Sequence, residues 1–258
     1  MLDRITPVIL AMNEAPNIER ALASLSWASE IIVVDSGSTD ETLSILARHA
    51  NVRVLHRPFD NHWNQWRFAI EETGIATDWV LRLDADYALT EALIAELLAL
   101  QPTADTAAYR IAFDYAMWGR VLPGSLYPAN HILFRRGQMA VIERGHTEGW
   151  EPMGDVTPLS GKIIHDDRKP LATFIASQVR YMRHEARVIA GGKPGLAAWL
   201  RRHPPLMPIA TFFYCLFGKG LIFSGKAGLL YTFQRTVAES ILAMTIIEQW
   251  LSDTPKVG

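Results

Sequence analysis

The chain has 258 residues, of which 49% are hydrophobic, enough for one large domain or a domain with an appended segment. Its one cysteine, Cys215, excludes an internal disulfide framework and any metal site built from several cysteines. The start of the chain has no signal-peptide pattern and no stretch reaches about 18 consecutive apolar residues, so we expect a cytoplasmic protein without a spanning helix.

The formal net charge of −2 conceals two oppositely charged segments. Residues 1–167 hold 13 Lys and Arg against 23 Asp and Glu, whereas residues 168–235 hold 11 Lys and Arg against one Glu. Such a change of composition indicates that the two segments meet different surroundings. We therefore predict a catalytic domain of residues 1–167 and a basic helical extension of residues 168–258.

The first hundred residues alternate between stretches typical of strands and stretches typical of helices. Strands are predicted at 6–11, 30–35, 52–55 and 79–84, and helices at 17–25, 39–49, 63–72 and from residue 90 onward. Ser38 and Glu41 fit a capping box that would begin the second helix. This alternation predicts an α/β fold with a mostly parallel, doubly wound, Rossmann-like sheet.

After residue 101 the pattern changes. Short strands are predicted at 108–113, 130–135, 139–142 and 162–165, as an extension that makes the sheet mixed. Beyond residue 167 the sequence predicts helices at 171–191, 196–202, 208–217 and 227–251. We therefore expect the sheet to be followed by a C-terminal helical extension.

Two carboxylates, Asp84 and Asp86, follow the apolar run of the fourth strand. Side chains two residues apart in an extended strand point the same way, so these acids repel each other unless a cation joins them. A divalent cation that carries a phosphate ligand would do so, and a solvated acidic turn is the alternative. Asn13, Glu14 and Asp35 lie at the ends of other strands, the edge where open α/β sheets bind ligands.

The polar motifs resemble those of a known family. The chain carries Asp35-Ser36-Gly37-Ser38-Thr39-Asp40, preceded by Asn13-Glu14 and followed by Asp84-Ala85-Asp86. Together these motifs resemble family 2 glycosyltransferases, and the 31–40 stretch most resembles the bacterial lipopolysaccharide core members of that family. The resemblance covers residues 5–100 well and is looser to about residue 170.

This resemblance implies a GT-A fold, a nucleotide-diphosphate sugar donor with a UDP-sugar favoured, inversion at the anomeric carbon, and a divalent metal, Mg²⁺ or Mn²⁺. The implied donor-binding residues are Asn13, Glu14, Asp35, Ser36, Gly37, Asp84 and Ala85. Asp86 is the implied metal ligand, and His165 is the candidate that completes the metal shell. The alternatives are structural roles. Asp35 would then only precede a helix, and His165 would be a core histidine whose ring nitrogens are hydrogen-bonded within the protein.

An inverting transfer needs a general base that deprotonates the acceptor hydroxyl. Relatives carry a His-Glu pair in the region that corresponds to 144–149, where one residue separates His146 from Glu148 in this chain. We predict Glu148 as the base, with His146 and Asp155 as rivals and an ordinary polar loop as the alternative. Relatives also carry Lys-Asn where this chain has Trp66-Arg67, so Arg67 is only a candidate phosphate contact.

The basic extension, residues 168–235, interleaves Arg and Lys with aromatic residues, a composition that suits contact with anionic lipid. Its apolar run at 206–217 is about 12 residues long, which suits a helix that lies in the interface and does not cross it. We therefore expect a peripheral protein on the inner face of the cell membrane, with a glycan or glycolipid acceptor such as lipopolysaccharide core. The alternative is that these helices pack together or form a homo-oligomer interface. Nucleic acid is not expected as a partner, because no nucleic-acid-binding module is recognisable.

Two other functions stay open from the sequence. A nucleotidyltransferase can share a nucleotide-binding α/β domain with paired acids, but it usually carries Gly and a basic residue after the first strand, and residues 11–15 lack both. The second rival is a non-catalytic scaffold with a degenerate glycosyltransferase fold. The departures at residues 66–67 and 146–148 are what keep that rival open.

Overall fold

The computed structural model describes residues 1–144, 147–190 and 203–253. The chain divides into two compact units, of which the first comprises Met1–Val121 and Leu126–Arg168 and the second comprises Leu122–Ser125 and Lys169–Gly258. Two predictions, the base candidate His146 and the helix at 196–202, lie outside the described residues. The functions predicted for the two segments stay predictions.

The first unit begins with strands and helices in alternation. In chain order these are β1 (Ile5–Ala11), α1 (Ile18–Ala23), β2 (Ile31–Asp35), α2 (Thr42–Leu46), β3 (Val52–His56), α3 (His62–Glu71) and β4 (Trp79–Asp84). The unit continues with β5 (Tyr87–Leu89), α4 (Glu91–Ala99), β6 (Thr106–Met117), β7 (Arg120–Val121), β8 (Asn130–Arg135), β9 (Met139–Arg144), β10 (Thr147–Pro152) and β11 (Asp155–His165).

One large sheet organises this unit. Its first four strands are all parallel, in the order β3-β2-β1-β4. The sheet continues through β8, β6, β11 and β5, where every pair is antiparallel except β6 with β11, and β9 and β10 form a separate hairpin. The predicted α/β sheet is confirmed, parallel over β1–β4 and mixed beyond them.

Apolar side chains cover both faces of the parallel strands. All five residues of β2 are buried, as expected for a strand covered on both sides. Alternate strand residues pack under α1, α2 and α4 on one face, and the others pack under α3 and the β9–β10 hairpin. Because the interior holds the strands rigidly, the loops at their carboxyl ends are presented from a fixed edge.

The second helix begins later than predicted, and the capping-box prediction is wrong. α2 starts at Thr42, and its N-cap residue Glu41 makes no side-chain capping hydrogen bond. The Ser38 hydroxyl instead donates to Asp35 Oδ1 and accepts the N–H of Asn13. A charged acceptor forms a stronger hydrogen bond than a neutral one, so the carboxylate keeps this hydroxyl and residues 36–41 stay a loop.

Three short strands have no counterpart in the sequence prediction. β5 has three residues and β7 has two, which is too short for a periodic pattern to form. β10 contains Gly149 and Pro152, both disfavoured in strands, and its pairing with β9 overrides that preference.

The second unit is helical in its described part. It contains α5 (Leu171–Ala190), α6 (Leu206–Phe213), a π-helical turn (Tyr214–Gly218), a 3₁₀ turn (Leu221–Ser224) and α7 (Gly225–Asp253). Its core includes Ala186, Leu242 and Ile246. Within the described ranges no single helix is long and apolar enough to cross a membrane. Leu206–Gly218 and Leu221–Ser252 have sufficient length and apolar character only when taken together, and that pair is bent by 72°.

Candidate active site

The register of the parallel strands brings polar residues to one edge of the sheet. Asp35 at the end of β2 lies opposite Ala11 of β1, and Asp84 at the end of β4 lies opposite Leu10. Neighbouring strands are about 4.8 Å apart and β1 separates the two acids, so their backbones are about 10 Å apart. The loops that follow β1 and β2 leave from this same edge, where a ligand can contact both.

Asp35 is fully buried, and its carboxylate organises the loop that follows it. Oδ2 accepts the backbone N–H of Gly37 at 2.9 Å and that of Ser38 at 3.1 Å, and Nδ1 of His56 lies 3.4 Å away. Gly37 has φ +100°, a conformation that favours glycine. The contact of Asp35 with a nucleotide base stays a prediction, but its bonds to the 36–38 loop give it a clear structural role.

Asn13 joins the loop after β1 to the loop after β2. Its φ of 55° is left-handed, a region that Asn tolerates better than most residues. Its Oδ1 accepts the backbone N–H of Thr39 at 2.8 Å and that of Asp40 at 3.3 Å. Its own N–H donates to the Ser38 hydroxyl at 2.9 Å. The two loops therefore form one hydrogen-bonded rim.

Gln65 of α3 supports this rim, and sequence reasoning missed it. The side chain is fully buried, and Nε2 donates to Ser36 Oγ at 2.8 Å and to the carbonyl of Arg57 at 3.0 Å. A polar residue on the buried face of an otherwise apolar helix pattern is the signal that could have identified it.

Trp66 and Arg67, which replace the Lys-Asn of relatives, lie in different environments: Trp66 is a core residue and Arg67 is a surface residue. Trp66 is buried and packs edge-on against Trp150, with ring centroids 5.5 Å apart. The Arg67 guanidinium lies 5.1 Å above the ring of Trp63 and 4.0 Å from the Glu71 carboxylate. These contacts hold Arg67 on the exposed side of α3, so the structure does not bring it to the rim.

The Asp84-Ala85-Asp86 motif places its two acids in different environments. Asp84 is exposed, Ala85 belongs to the core, and the Asp86 side chain is only 14% exposed. Asp86 Oδ2 lies 3.1 Å from Nε2 of His165, whose side chain is 12% exposed. Register explains this meeting, because Tyr87 follows Asp86 and lies opposite His165 in the β5–β11 pair. The structure thus joins two predicted metal ligands 79 residues apart.

Aromatic rings surround the His165 imidazole. The nearest are Tyr127, Tyr115 and Tyr87, with ring centroids 4.5, 4.6 and 5.1 Å from that of His165. The hydroxyls of Tyr87 and Tyr127 hydrogen-bond to each other, and burial raises the pKa of both phenols, which keeps them neutral. This wall fixes the ring orientation and turns Nε2 toward Asp86.

Asp86 and His165 fit the requirements of a divalent-cation site. A carboxylate oxygen and an imidazole nitrogen suit a Mn²⁺-like ion, and their spacing allows one ion to contact both. Across the described residues no group of three or more His, Cys, Asp or Glu is placed to hold a metal. A cation at this pair would therefore take its other ligands from phosphate oxygens and water.

A buried asparagine anchors the segment that follows β11. Asn17 Nδ2 donates to the carboxylate of Glu14 at 3.0 Å and to that of Asp167 at 2.8 Å. Its Oδ1 accepts from the Arg20 guanidinium at 3.1 Å and from the backbone N–H of Arg168 at 2.9 Å. This network ties the start of α1 to the residues next to the Asp86–His165 pair. Sequence reasoning missed Asn17 and Arg20, because their partners are about 150 residues away in the chain.

We expect Asn17→Ala to lower the free energy of unfolding by about 1–3 kcal/mol, because the change leaves charged groups of the network without their buried partner. Urea denaturation measures this loss. Asn51→Ala is the matched control, since the Asn51 side chain makes one hydrogen bond, to the carbonyl of Ala28 at 2.9 Å. Equal losses in the two variants would contradict a special role for Asn17.

The charge state of His165 gives a pH-dependent stability. Burial alone would lower the pKa of His165, but the carboxylates of Asp86, Asp84 and Asp167 outweigh it and raise that pKa above its ordinary value. In the unfolded chain a histidine has a pKa of about 6.5. The stability that the charged His165 gives to the fold is therefore complete below that pH and is lost as the pH rises through the higher pKa of His165 in the folded state. In chelator, the melting temperature of the wild type should fall more steeply above pH 6.5 than that of His165→Gln. If the melting temperatures of the wild type and His165→Gln changed with pH in parallel, His165 would not be the source of the pH dependence.

The base candidates differ in how the structure places them. Glu148 lies in β10, opposite Glu143 of β9, and its side chain is outside the described part of the chain. Asp155 lies at the start of β11, opposite Thr106, whereas His165 ends that strand opposite Tyr115. At about 3.3 Å per residue these positions are about 30 Å apart, which removes Asp155 as a base acting beside the Asp86–His165 pair.

An open α/β sheet with polar loops and an Asp–His pair at its carboxyl edge is the arrangement of a ligand-binding α/β protein. Residues 7–150 match the family model described as glycosyl transferase family 2, which covers more than half of the chain. The chain therefore belongs to glycosyl transferase family 2, a membership that supports a transferase activity.

Individual relatives agree with this family. The chain is 25% identical to the lipopolysaccharide core biosynthesis glycosyltransferase LpsC of Rhizobium meliloti (strain 1021), covering 95% of this chain and 92% of that protein. It is 41% identical to an uncharacterized glycosyltransferase of Rickettsia bellii (strain RML369-C), over 36% of this chain and 31% of that protein, so it spans about a third of that relative. The predicted resemblance to lipopolysaccharide core glycosyltransferases is confirmed.

The fold also matches a solved structure. S. aureus TarS 1-349 in complex with UDP has a TM-score of 0.50 and 15% identity, over 98% of this chain and 93% of that one. At this identity the likeness concerns the fold alone. The predicted GT-A fold with a C-terminal helical extension is confirmed.

Proposed function

We propose that this protein is a metal-dependent, inverting glycosyltransferase. It moves a sugar from a nucleotide-diphosphate donor, with a UDP-sugar favoured, to a hydroxyl of a lipid-linked glycan such as lipopolysaccharide core. The Asp86–His165 pair supports this proposal, because a carboxylate and an imidazole are side chains that can ligate a divalent cation and the pair follows the sheet edge that also holds the Asp35 loop. A cytoplasmic position on the inner face of the membrane belongs to the same proposal.

The donor would lie along the carboxyl edge of β1, β2 and β4. The 13–14 and 35–37 loops would face the nucleoside, and Asp84, which is exposed, would face the ribose or the sugar. Asp86 and His165 would hold Mg²⁺ or Mn²⁺, which offsets negative charge on the diphosphate leaving group. The backbones of Asp35 and Asp84 are about 10 Å apart, a distance that a bound nucleotide can span.

The transfer itself is a single displacement. The acceptor hydroxyl oxygen bonds to the anomeric carbon from one face while the bond from that carbon to the diphosphate oxygen breaks on the other. The hydroxyl proton passes to the general base, and the bonding pair leaves with the nucleoside diphosphate. Glu148 is our proposed base and His146 its rival; the family match includes both positions.

Glu148→Gln should lower kcat by about 10²–10⁴-fold and leave UDP affinity unchanged, because a general base acts in the transition state. Asp155→Asn is the matched control and should keep wild-type kcat, given its distance from the Asp86–His165 pair. Turnover by Glu148→Gln at the wild-type rate would transfer the role to His146, which His146→Gln would then test.

A thermal-shift screen of nucleotide sugars with Mg²⁺ or Mn²⁺ tests the proposed donor class, because ligands that bind the native state raise its melting temperature. We expect stabilisation by UDP-sugars that requires the metal. Product analysis with a lipopolysaccharide core acceptor then separates the rivals. Release of UDP with a glycosylated acceptor supports glycosyl transfer. A separate assay supplies a nucleoside triphosphate and a sugar 1-phosphate, and release of pyrophosphate there indicates a nucleotidyltransferase. Binding without product in either assay indicates a scaffold.

A further inference from the structure

The helix α6 and the turns after it expose large apolar side chains. Leu206, Ile209, Phe213 and Phe217 are 43–60% exposed, and their spacing of three, four and four residues places them along one helical face. Farther on, Phe223 is 88% exposed. We call residues 206–223 the apolar segment.

The apolar segment is apolar on its buried side and also on its exposed side. The buried side chains are Thr211, Cys215, Leu216 and Leu221, which are at most 7% exposed, whereas Phe213 and Phe217 are more than half exposed. The rings of Phe213 and Phe217 stack with centroids 6.2 Å apart and an interplanar angle of 13°. Aromatic side chains exposed together on one helical face form an apolar patch, and such patches mark contacts with a membrane or another protein.

Positive charge borders the apolar segment. Lys219 follows the π-helical turn, and its ammonium lies 5.5 Å from the ring of Tyr214. Lys226 is exposed at the start of α7. Residues 203–238 contain no Asp or Glu, so within this stretch no acid neutralises these lysines.

We propose that the apolar segment inserts into the interface of an anionic lipid bilayer, with Lys219 and Lys226 at the headgroup level. Leu206–Gly218 has 13 residues, a length that suits a helix lying in the interface and falls short of the about 20 residues needed for a span. The inference rests on the membrane position in the proposed function and deepens it by naming the segment that contacts lipid. Lipid contact requires neither donor nor acceptor, so vesicle binding and sugar transfer can fail separately.

Charge favours a bilayer over a second copy of the chain. A two-fold interface places the same patch on both partners, so the lysines of one copy would approach those of the other with no acid from residues 203–238 between them. Anionic headgroups supply the missing negative charge and the acyl region takes the aromatic side chains. The surface therefore fits a lipid membrane in both its apolar and its charged parts.

Co-sedimentation of the full chain with vesicles tests this proposal. We expect binding to phosphatidylcholine vesicles that contain phosphatidylglycerol, and much weaker binding to phosphatidylcholine alone. Phe217→Ser with Phe223→Ser should reduce the partition coefficient at least about tenfold. Lys219→Gln and Lys226→Gln should each reduce it about fivefold, and high salt should remove that difference.

The matched control replaces two exposed apolar residues of α7 outside the apolar segment, Met244→Ser with Leu251→Ser, which are 61% and 74% exposed in the wild type. This variant should bind vesicles like the wild type. Melting temperatures and circular dichroism spectra confirm that all variants are folded. A wild type that ignores anionic vesicles overturns the proposal, as does unchanged binding by the phenylalanine variant. Conversion of a dimer to a monomer by that variant, without loss of vesicle binding, would assign the surface to a second copy.

Discussion

Asp86→Asn is expected to abolish metal-dependent UDP binding and to reduce sugar transfer by about 10³-fold or more. The carboxylate lies 3.1 Å from His165 and is mostly buried, so it is the strongest anionic ligand that the proposed cation would have. A metal that stabilises a leaving group contributes several kcal/mol to the transition state, and each 1.4 kcal/mol corresponds to a factor of ten. Titration calorimetry with Mn²⁺ and an initial-rate assay measure the two losses.

Two controls separate this effect from a general loss of negative charge. Asp3→Asn removes an acid whose side chain is 85% exposed, and it should leave both binding and rate unchanged. Asp84→Asn should weaken donor binding while preserving the response to metal, because Asp84 is exposed and is assigned to the sugar side of the donor. Wild-type activity in Asp86→Asn would remove Asp86 from the metal site.

Asp35→Asn is expected to lower the free energy of unfolding by about 1–3 kcal/mol and to abolish measurable UDP binding. The carboxylate is fully buried and accepts hydrogen bonds from Gly37 and Ser38. An amide of the same size replaces one acceptor oxygen with a donor nitrogen, which would face N–H groups. The 36–38 loop would then lose the conformation on which the nucleotide is proposed to rest.

Glu41→Gln provides the matched control for Asp35→Asn. Glu41 is an exposed acid of the same loop, and its side chain makes no capping hydrogen bond to α2. Its replacement should change neither urea denaturation nor UDP affinity. If Asp35→Asn were as stable as the wild type, the buried carboxylate would not be organising the loop.

The parallel half of the sheet could be predicted from the sequence because its signals are local. β2 is four apolar residues in a row followed by Asp35, and β4 ends at Asp84 as predicted. Asn61 and Thr90 cap α3 and α4 by accepting backbone N–H groups, so these helices start within one residue of their predicted positions. The strand ends that carry polar residues predicted that Asp35 and Asp84 share one edge of the sheet, and the strand register confirms that position.

Features that depend on distant partners could not be predicted in this way. The role of Ser38 as a helix cap is a local reading, and the buried charge of Asp35 overrides it. Asn17 has the sequence pattern of an ordinary helix start, although its partners lie beyond β11. His165 was a candidate through resemblance, and only the pairing of β5 with β11 brings it to Asp86.

The basic extension shows a similar division. Its charge predicted a membrane contact over residues 168–235, and its apolar run predicted that residues 206–217 lie in the interface. The exposed large apolar side chains of the second unit are densest in residues 206–223 and continue along α7. Composition counts side chains without regard to which face they occupy. The exposure of Phe213 and Phe217 and the burial of Cys215 become visible only when the helix is packed.

The most direct test of the central claim is the affinity of the wild-type protein for UDP, measured by titration calorimetry in Mn²⁺ and again in excess chelator. The proposed site predicts clear binding in Mn²⁺ and a loss of affinity of at least about tenfold in chelator, since the cation joins the diphosphate to Asp86 and His165. Equal affinity under the two conditions would contradict a metal-dependent nucleotide site at this pair.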